Sequence, residues 1–317
     1  MQLLLLHLDD ALELQPDFVR ACMRTGARQI CAEDHGRAVR LWGNQQSLDK
    51  LSNCLTRHIV GKGKTPHLSF MGSGDFHHIT ALLVAAALGN NPEPATLIHF
   101  DNHPDWVHFN NGMHCGSWIN RALQHRSLEK IVTVGVCSSD LKSPERKGAN
   151  LSLLASGRLE LYPYEHAPSR VRKEYGQGAS YEQKDGALNW KTIAEVGEQN
   201  FIDQLLSRIK TKAVYLTIDK DVLAREDAVT NWDQGRMRLP YVLSLITEIS
   251  KRHQIIGADV TGDYSIPSYT GNLWTRFTKN AEILIDQPHS RPDPRKTTNI
   301  NSSANHALLE VLSEAMA

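Results

Sequence analysis

Seven short apolar runs, alternating with stretches of helical pattern, do most to limit the fold of this 317-residue chain. The runs are QLLLLHL, HLSFMGSGD, PATLIHF, KIVTVGVCS, LELYPY, KAVYLTID and QIIGADVT. Between them, QPDFVRACMRTGA, HHITALLVAAALG (stopped by Gly89), GSWINRALQH, NFIDQLLSRIKT and LPYVLSLITEISKRH read as helices. Strands that alternate with helices in this rhythm predict a mostly parallel sheet covered on both faces, a three-layer α/β/α fold. The length suits one large α/β domain or two smaller ones. Ser169 to Asn189 is polar and reads as an insertion or long loop. Gln287 to Asn305 is rich in Pro, Arg, Ser, Asn and Thr and reads as a flexible linker, with a short terminal helix in HALLEVLSEAMA. The expected organisation is one catalytic domain over 1–286 and a tail over 287–317.

Composition narrows the function. Thirty-five basic and thirty-five acidic residues cancel, so no net field draws the chain to nucleic acid or to an acidic membrane. Five cysteines without CxxC spacing suggest neither a disulfide framework nor a zinc ribbon. The opening MQLLLLHLDD is too short for a signal sequence, and no run reaches the ~20 apolar residues of a membrane span. A soluble cytoplasmic protein acting on a small molecule is expected.

In sheets of this kind reactive groups gather at the carboxyl ends of the strands. Three of the predicted ends carry unusual residues: GSGDFHH with Asp75, His77 and His78; LIHFDNHPDW with Asp101, His103 and Asp105; and LTIDKDVL with Asp219 and Asp221. In extended backbone every second side chain points the same way, so each set converges, and Pro104 pushes His103 toward that conformation. A solitary DxHxD is more often a solvated loop than a metal site. Its pairing with DxD at a second strand end favours metal. Four carboxylates and one or two imidazoles in one crevice repel unless divalent cations sit among them, and the mixed donor set suits Mn²⁺, Zn²⁺ or Fe²⁺. Cys115 reads as a small packed residue, and His7, Asp9 and Asp10 as a polar strand end.

A histidine after a Gly-Gly-Asp-like turn, then DxHxD, then DxD, in that order, resembles the ureohydrolases: arginase, agmatinase and their relatives. MHCGSWINRAL, IVTVGVCSSD and IIGADVTGDYS fall where that family has its His-Gly segment, its next strand and its acidic substrate-contact segment. The resemblance runs roughly from His67 to Ser265. It implies an arginase-like fold, trimers or hexamers, and two Mn²⁺ ions, with Zn²⁺ or Fe²⁺ as substitutes. One ion would take His77 or His78 with Asp101, Asp105 and Asp219; the other would take His103, Asp101, Asp219 and Asp221. The implied reaction is hydrolysis of a linear C–N bond in a guanidino, formimino or related amidine or amide substrate by a metal-bridging hydroxide. Asp101 would hold the metals and His114 would serve as proton shuttle. The chain departs from the family in four places, one of them Ala224 and Arg225 where the family has Asp-Pro after DxD. Ser73-Gly74-Asp75-Phe76-His77-His78 has one extra residue, which leaves the first ligand open between the two histidines, with His77 needing the smaller shift. Asp259 stands where the family has its guanidinium-contacting glutamate, and Trp232 and Asp233, in TNWDQGRM, occupy the substrate loop. These three are the expected substrate contacts. The alternatives are a mononuclear Zn²⁺ amide deacetylase and a non-catalytic arginase-like metal-binding protein.

Overall fold

The computed structural model of the chain describes residues 1–59, 65–91, 93–288 and 292–317. Its centre is an eight-stranded sheet of β1 (Gln2–His7), β2 (Arg28–Cys31), β3 (His67–Phe70), β4 (Ala95–Phe100), β5 (Leu128–Val134), β6 (Leu159–Tyr162), β7 (Ala213–Asp219) and β8 (Gln254–Thr261). The strand order is β2-β1-β3-β8-β7-β4-β5-β6, and every pairing is parallel. The three-layer α/β/α expectation is borne out, and the apolar runs named above are the strands. β2, with one buried residue in RQIC, adds an edge strand that its pattern does not announce.

One face of the sheet is covered by α1 (Pro16–Arg24), α4 (Glu198–Arg208), α5 (Leu239–Ser250) and α7 (Pro294–Ala315). Phe18, Phe201, Leu205, Val242, Leu245, Leu308 and Leu312 pack there against Val214, Leu216 and Ile218 of β7. The other face receives α2 (Gln45–Ile59), α3 (Thr80–Gly89) and the short helix Trp118–Ala122, through Leu48, Leu51, Leu83, Val84 and Trp118. Strand alternation puts Tyr215, and therefore Thr217 and Asp219, on this second side.

Near the carboxyl ends the second face turns polar. Parallel register aligns Ser69 with Asp259, Asp259 with Thr217, Thr217 with His99, and His99 with Thr133, a row across five strands. All five residues are fully buried. Buried polar groups persist where they find partners, and this row lies directly beneath the candidate site.

Two expectations are corrected. Ser169–Asn189 is not an unstructured insertion: Ser169–Arg170, Tyr181–Lys184 and Ala187–Trp190 form a small antiparallel sheet. Its hairpin turns through Asp185 and Gly186, both at positive φ, which an Asp-Gly pair accommodates. In place of a linker through Asn305 and a short final helix, α7 begins at Pro294, capped by the Asp293 carboxylate, and runs twenty-two residues; 289–291 of the expected linker lie outside the described residues. The polar composition serves buried bonding. Asn301 exchanges two 2.8 Å hydrogen bonds with the backbone of Val229, and Asn305 donates to Gln15 at 2.9 Å. A further helix, α6 (Leu273–Asp286), follows β8 and closes over the carboxyl end of the sheet.

Because Leu308 is wholly buried on α7, Leu308→Ala is expected to lower unfolding stability by roughly 2–4 kcal/mol in urea denaturation. A change under about 0.5 kcal/mol would mean that the C-terminal segment is not packed.

Candidate metal centre

Asp101 follows the last residue of β4 and Asp219 is the last residue of β7. Two adjacent strands therefore deliver carboxylates to one point. The convergence of the remaining ligand candidates comes from the loops rather than from strand alternation. Asp105 returns to the site through a left-handed backbone, φ +49°, a conformation most side chains avoid. Asp221 sits in a 3-10 turn, Lys220–Val222, whose middle places it beside His103 while Lys220 points away to Asp263 and Asn305. Gly74 makes room: a Cβ there would lie 2.7 Å from Asp219 Oδ2. Gly262, at φ +92°, backs the same carboxylate from the other side, where a Cβ would lie 2.4 Å from Oδ1.

His77 lies in the 3-10 segment Gly74–Ile79. Its Nδ1 is 2.9 Å from Asp101 Oδ2, 3.2 Å from Asp105 Oδ2 and 3.5 Å from Asp219 Oδ2, yet it makes no hydrogen bond of acceptable geometry. Its Nε2 is 3.0 Å from Thr217 Oγ1. Thr217 donates its only proton to Asp259 Oδ1 at 2.7 Å, so its oxygen must accept from His77 Nε2–H. Nδ1 is then the nitrogen left to face the three carboxylates, which favour a proton on it when no metal is bound and offer a bound cation the same place. Its orphaned, buried state fits a cation held among these groups.

His103 repeats the pattern. Its Nε2 lies 2.8 Å from Asp233 Oδ1, and its Nδ1 lies 2.9 Å from Asp221 Oδ2 and 3.5 Å from Asp101 Oδ1. The ligand atoms accordingly form two groups, one around His77, Asp101 and Asp105, and one of Asp101, His103 and Asp221. Asp101 belongs to both. Among the described residues no lysine or arginine pairs with Asp101, Asp105, Asp219 or Asp221.

The ionisation of the cluster reflects this crowding. Burial and the Asp101 charge push Asp219 up to about 7 and raise Asp105 and Asp221. Burial opposes ionisation of Asp101 as well, but His99, His103 and His77 together hold it well below the usual carboxylate range. His77 and His103 lose charge to burial and regain it from the facing carboxylates, ending well above an ordinary histidine.

The other expected site residues are distributed as follows. His78 stands outside both groups, buried with neither ring nitrogen hydrogen-bonded, and burial holds it well below an ordinary histidine. Neighbours in a 3-10 turn point ~120° apart, so only one of His77 and His78 faces the carboxylates. Asp259 is not a pocket residue. It is wholly buried and accepts hydrogen bonds from Thr80, Thr217 and Tyr215 at 2.7 to 2.9 Å, which places it behind His77. Trp232 and Asp233 do line the pocket, but each also braces it: Trp232 Nε1 donates to Asp75 Oδ1 at 2.9 Å, and Asp233 grips His103 and Asn102. His114 lies on the pocket wall. Its Nδ1 accepts from the Gly116 backbone at 2.8 Å, so the proton is on Nε2, 2.6 Å from Glu282 Oε1.

Three participants were not anticipated. Thr217 and His99 sit in the polar row; His99 lies two residues before Asp101, so the every-second-residue rule already pointed to it. Glu282 arrives on α6 from 168 residues away, and nothing local to His114 signals it. The pocket holds about 630 Å³, with the carboxylate cluster at its base.

The Arginase family model matches residues 14–156. The solved arginase of Entamoeba histolytica, in complex with L-ornithine, superposes with a TM-score of 0.61 at 13% identity, covering 99% of both chains. The chain has the arginase-like fold of this structure, and part of it, residues 14–156, is similar to the Arginase family. Formimidoylglutamase from Bacillus subtilis matches this arginase-like chain with a TM-score of 0.55 at 14% identity, over 99% of the chain and 86% of that protein. An uncharacterized protein of Thermotoga maritima is 26% identical over 218 residues, 69% of the chain and 64% of that relative's length. No helix among the described residues is long and apolar enough to cross a membrane.

A pH prediction follows from the raised groups. A carboxyl or imidazole whose folded pKa exceeds its unfolded value stabilises the fold at low pH and loses that contribution as pH rises through the folded pKa. For Asp219 the loss falls between its ordinary value of 3.8 and about 7; for His77 and His103 it begins above 6.5. Asp101, being lowered, acts oppositely, and only below 3.8. In chelator, the melting temperature is expected to fall from about pH 5 to about pH 8, and added divalent metal should restore more at the higher pH because it competes with protons for the same groups. Chelated protein whose melting temperature does not change over that range would contradict the ionisation pattern.

Proposed function

We propose that this chain is a metal-dependent hydrolase of linear C–N bonds, acting on a guanidino, formimino or related amidine compound at a two-ion site. The observation that carries the reading is His77 Nδ1: with Nε2–H committed to Thr217, it faces Asp101, Asp105 and Asp219 without a hydrogen bond. His77, Asp101, Asp105 and Asp219 would hold one ion, and Asp101, His103 and Asp221 the other. Bound divalent ions supply Lewis acidity that activates water at neutral pH and polarises the substrate. The second group around His103 favours this reading over a mononuclear zinc deacetylase, which needs only one.

The chain's own residues supply the rest. His114 Nε2 lies inside the pocket, where the ring, once protonated to the imidazolium, would give a proton to the departing nitrogen and return to the neutral form. Glu282 accepts the Nε2–H and would balance the charge of that imidazolium. Asp233 keeps His103 oriented through its far nitrogen. Asp140, Asp233, Glu282 and Asp286 line the mouth against a single Lys147, itself 3.1 Å from Asp140, a field that draws a cationic head group inward. Asp259, buried behind His77, leaves recognition of that head to the mouth and the Trp232 wall.

The test is a screen of full-length, metal-loaded protein against guanidino, formimino and amide compounds, scored by release of urea, formamide, ammonia or carboxylate. His114→Ala is expected to lower kcat roughly 10²–10⁴-fold with metal content unchanged. Loss of metal on that substitution would remove the shuttle role, and absence of turnover on the whole panel would favour a non-catalytic metal-binding protein.

A further inference from the structure

His99 carries no role in the reading above, yet both of its ring nitrogens are engaged within the site. It is wholly buried on β4, two residues before Asp101 and on the same face. Its Nδ1 lies 3.0 Å from Oγ1 of its cross-strand neighbour Thr133, and Trp118 meets its ring edge-on at 5.1 Å. Trp118 also donates to Asp105 Oδ2 at 2.5 Å, fixing that carboxylate beside both imidazoles. The remaining nitrogen, Nε2, lies 2.8 Å from Asp101 Oδ2 and 3.8 Å from Asp105 Oδ2. The same Asp101 oxygen is 2.9 Å from Nδ1 of His77, whose ring centre is 5.0 Å from that of His99. One atom each from His77, His99, Asp101 and Asp105 all lie within 4.8 Å of one another.

We infer that His99 is itself a metal ligand, giving the inner position two imidazoles beside Asp101, Asp105 and Asp219, while the outer position of Asp101, His103 and Asp221 has one imidazole. The inference rests on the proposal that the site holds metal. It predicts a chemical asymmetry. Imidazole suits Zn²⁺ and Fe²⁺, whereas carboxylate-rich sets suit Mn²⁺. The inner position therefore prefers Zn²⁺ or Fe²⁺ over Mn²⁺ more strongly than the outer one does. The competing role is that of a positioning residue, in which His99 Nε2–H merely donates to Asp101 and orients it.

Two measurements separate these roles. X-ray absorption on full-length protein carrying one equivalent of Zn²⁺ is expected to count two imidazoles around the ion; a count of one overturns the inference. His99→Gln retains an N–H of similar reach for Asp101 but removes the imidazole. It is expected to weaken tight Zn²⁺ binding by at least ~100-fold, beyond the usual effect of losing an orienting partner, and to alter the visible spectrum of the Co²⁺-loaded protein. If His99→Gln keeps both the wild-type spectrum and the Zn²⁺ to Mn²⁺ preference, His99 only orients Asp101. If wild-type protein binds no divalent metal at all, the proposed function fails first and this inference with it.

Discussion

One imidazole nitrogen organises the candidate site. His77 cannot turn its Nε2–H toward Asp101, Asp105 and Asp219, because Thr217 already accepts that proton and Asp259 already holds Thr217. Asp259 in turn receives three hydroxyl donors, which partly offset the burial that raises its carboxyl above the ordinary range. Three carboxylates therefore crowd one ring nitrogen across 2.9 to 3.5 Å in the interior of the protein, where uncompensated negative charge is most costly. A cation resolves the conflict, and no lysine or arginine among the described residues is placed to do so.

The fold supplies this arrangement by spending part of one core face on polarity. Over most of its central strands the sheet buries leucine, isoleucine and valine on both sides, as a parallel sheet between helices must. Along one register row Ser69, Asp259, Thr217, His99 and Thr133 replace them, and the next residues along β4 and β7 on that face are Asp101 and Asp219. The row acts as a foundation whose hydroxyls and carboxylate fix ring orientations, while the ligands stand one step nearer the solvent. Loops complete the cage: the 3-10 turn that carries His77, the left-handed turn at Asp105, and the Trp232–Asp233 wall.

Much of this was legible in the sequence, for physical reasons that differ by element. The strands were readable because fully buried strands need continuous apolar runs, and Asp101, His103, Asp219 and Asp221 because charged residues directly after such runs are hard to explain as packing. The extra residue before His77 blurred the choice from His78 until the 3-10 geometry separated their directions. Asp259 carried the chemistry of a substrate contact but the burial of a support, a distinction that sequence does not encode. α7 was hidden because Asn301 and Asn305 bury polar side chains against partners far along the chain. Glu282 was hidden for the same reason of distance.

The central claim is that cations occupy the space between these imidazoles and carboxylates. Crystals grown with Mn²⁺ or Zn²⁺ and measured by anomalous diffraction test it most directly. The account predicts two peaks, one bonded to His77 Nδ1 and one to His103 Nδ1, with an Asp101 carboxylate reaching both. Density free of anomalous scatterers, with His77 Nδ1 protonated and hydrogen-bonded to Asp101, would contradict it.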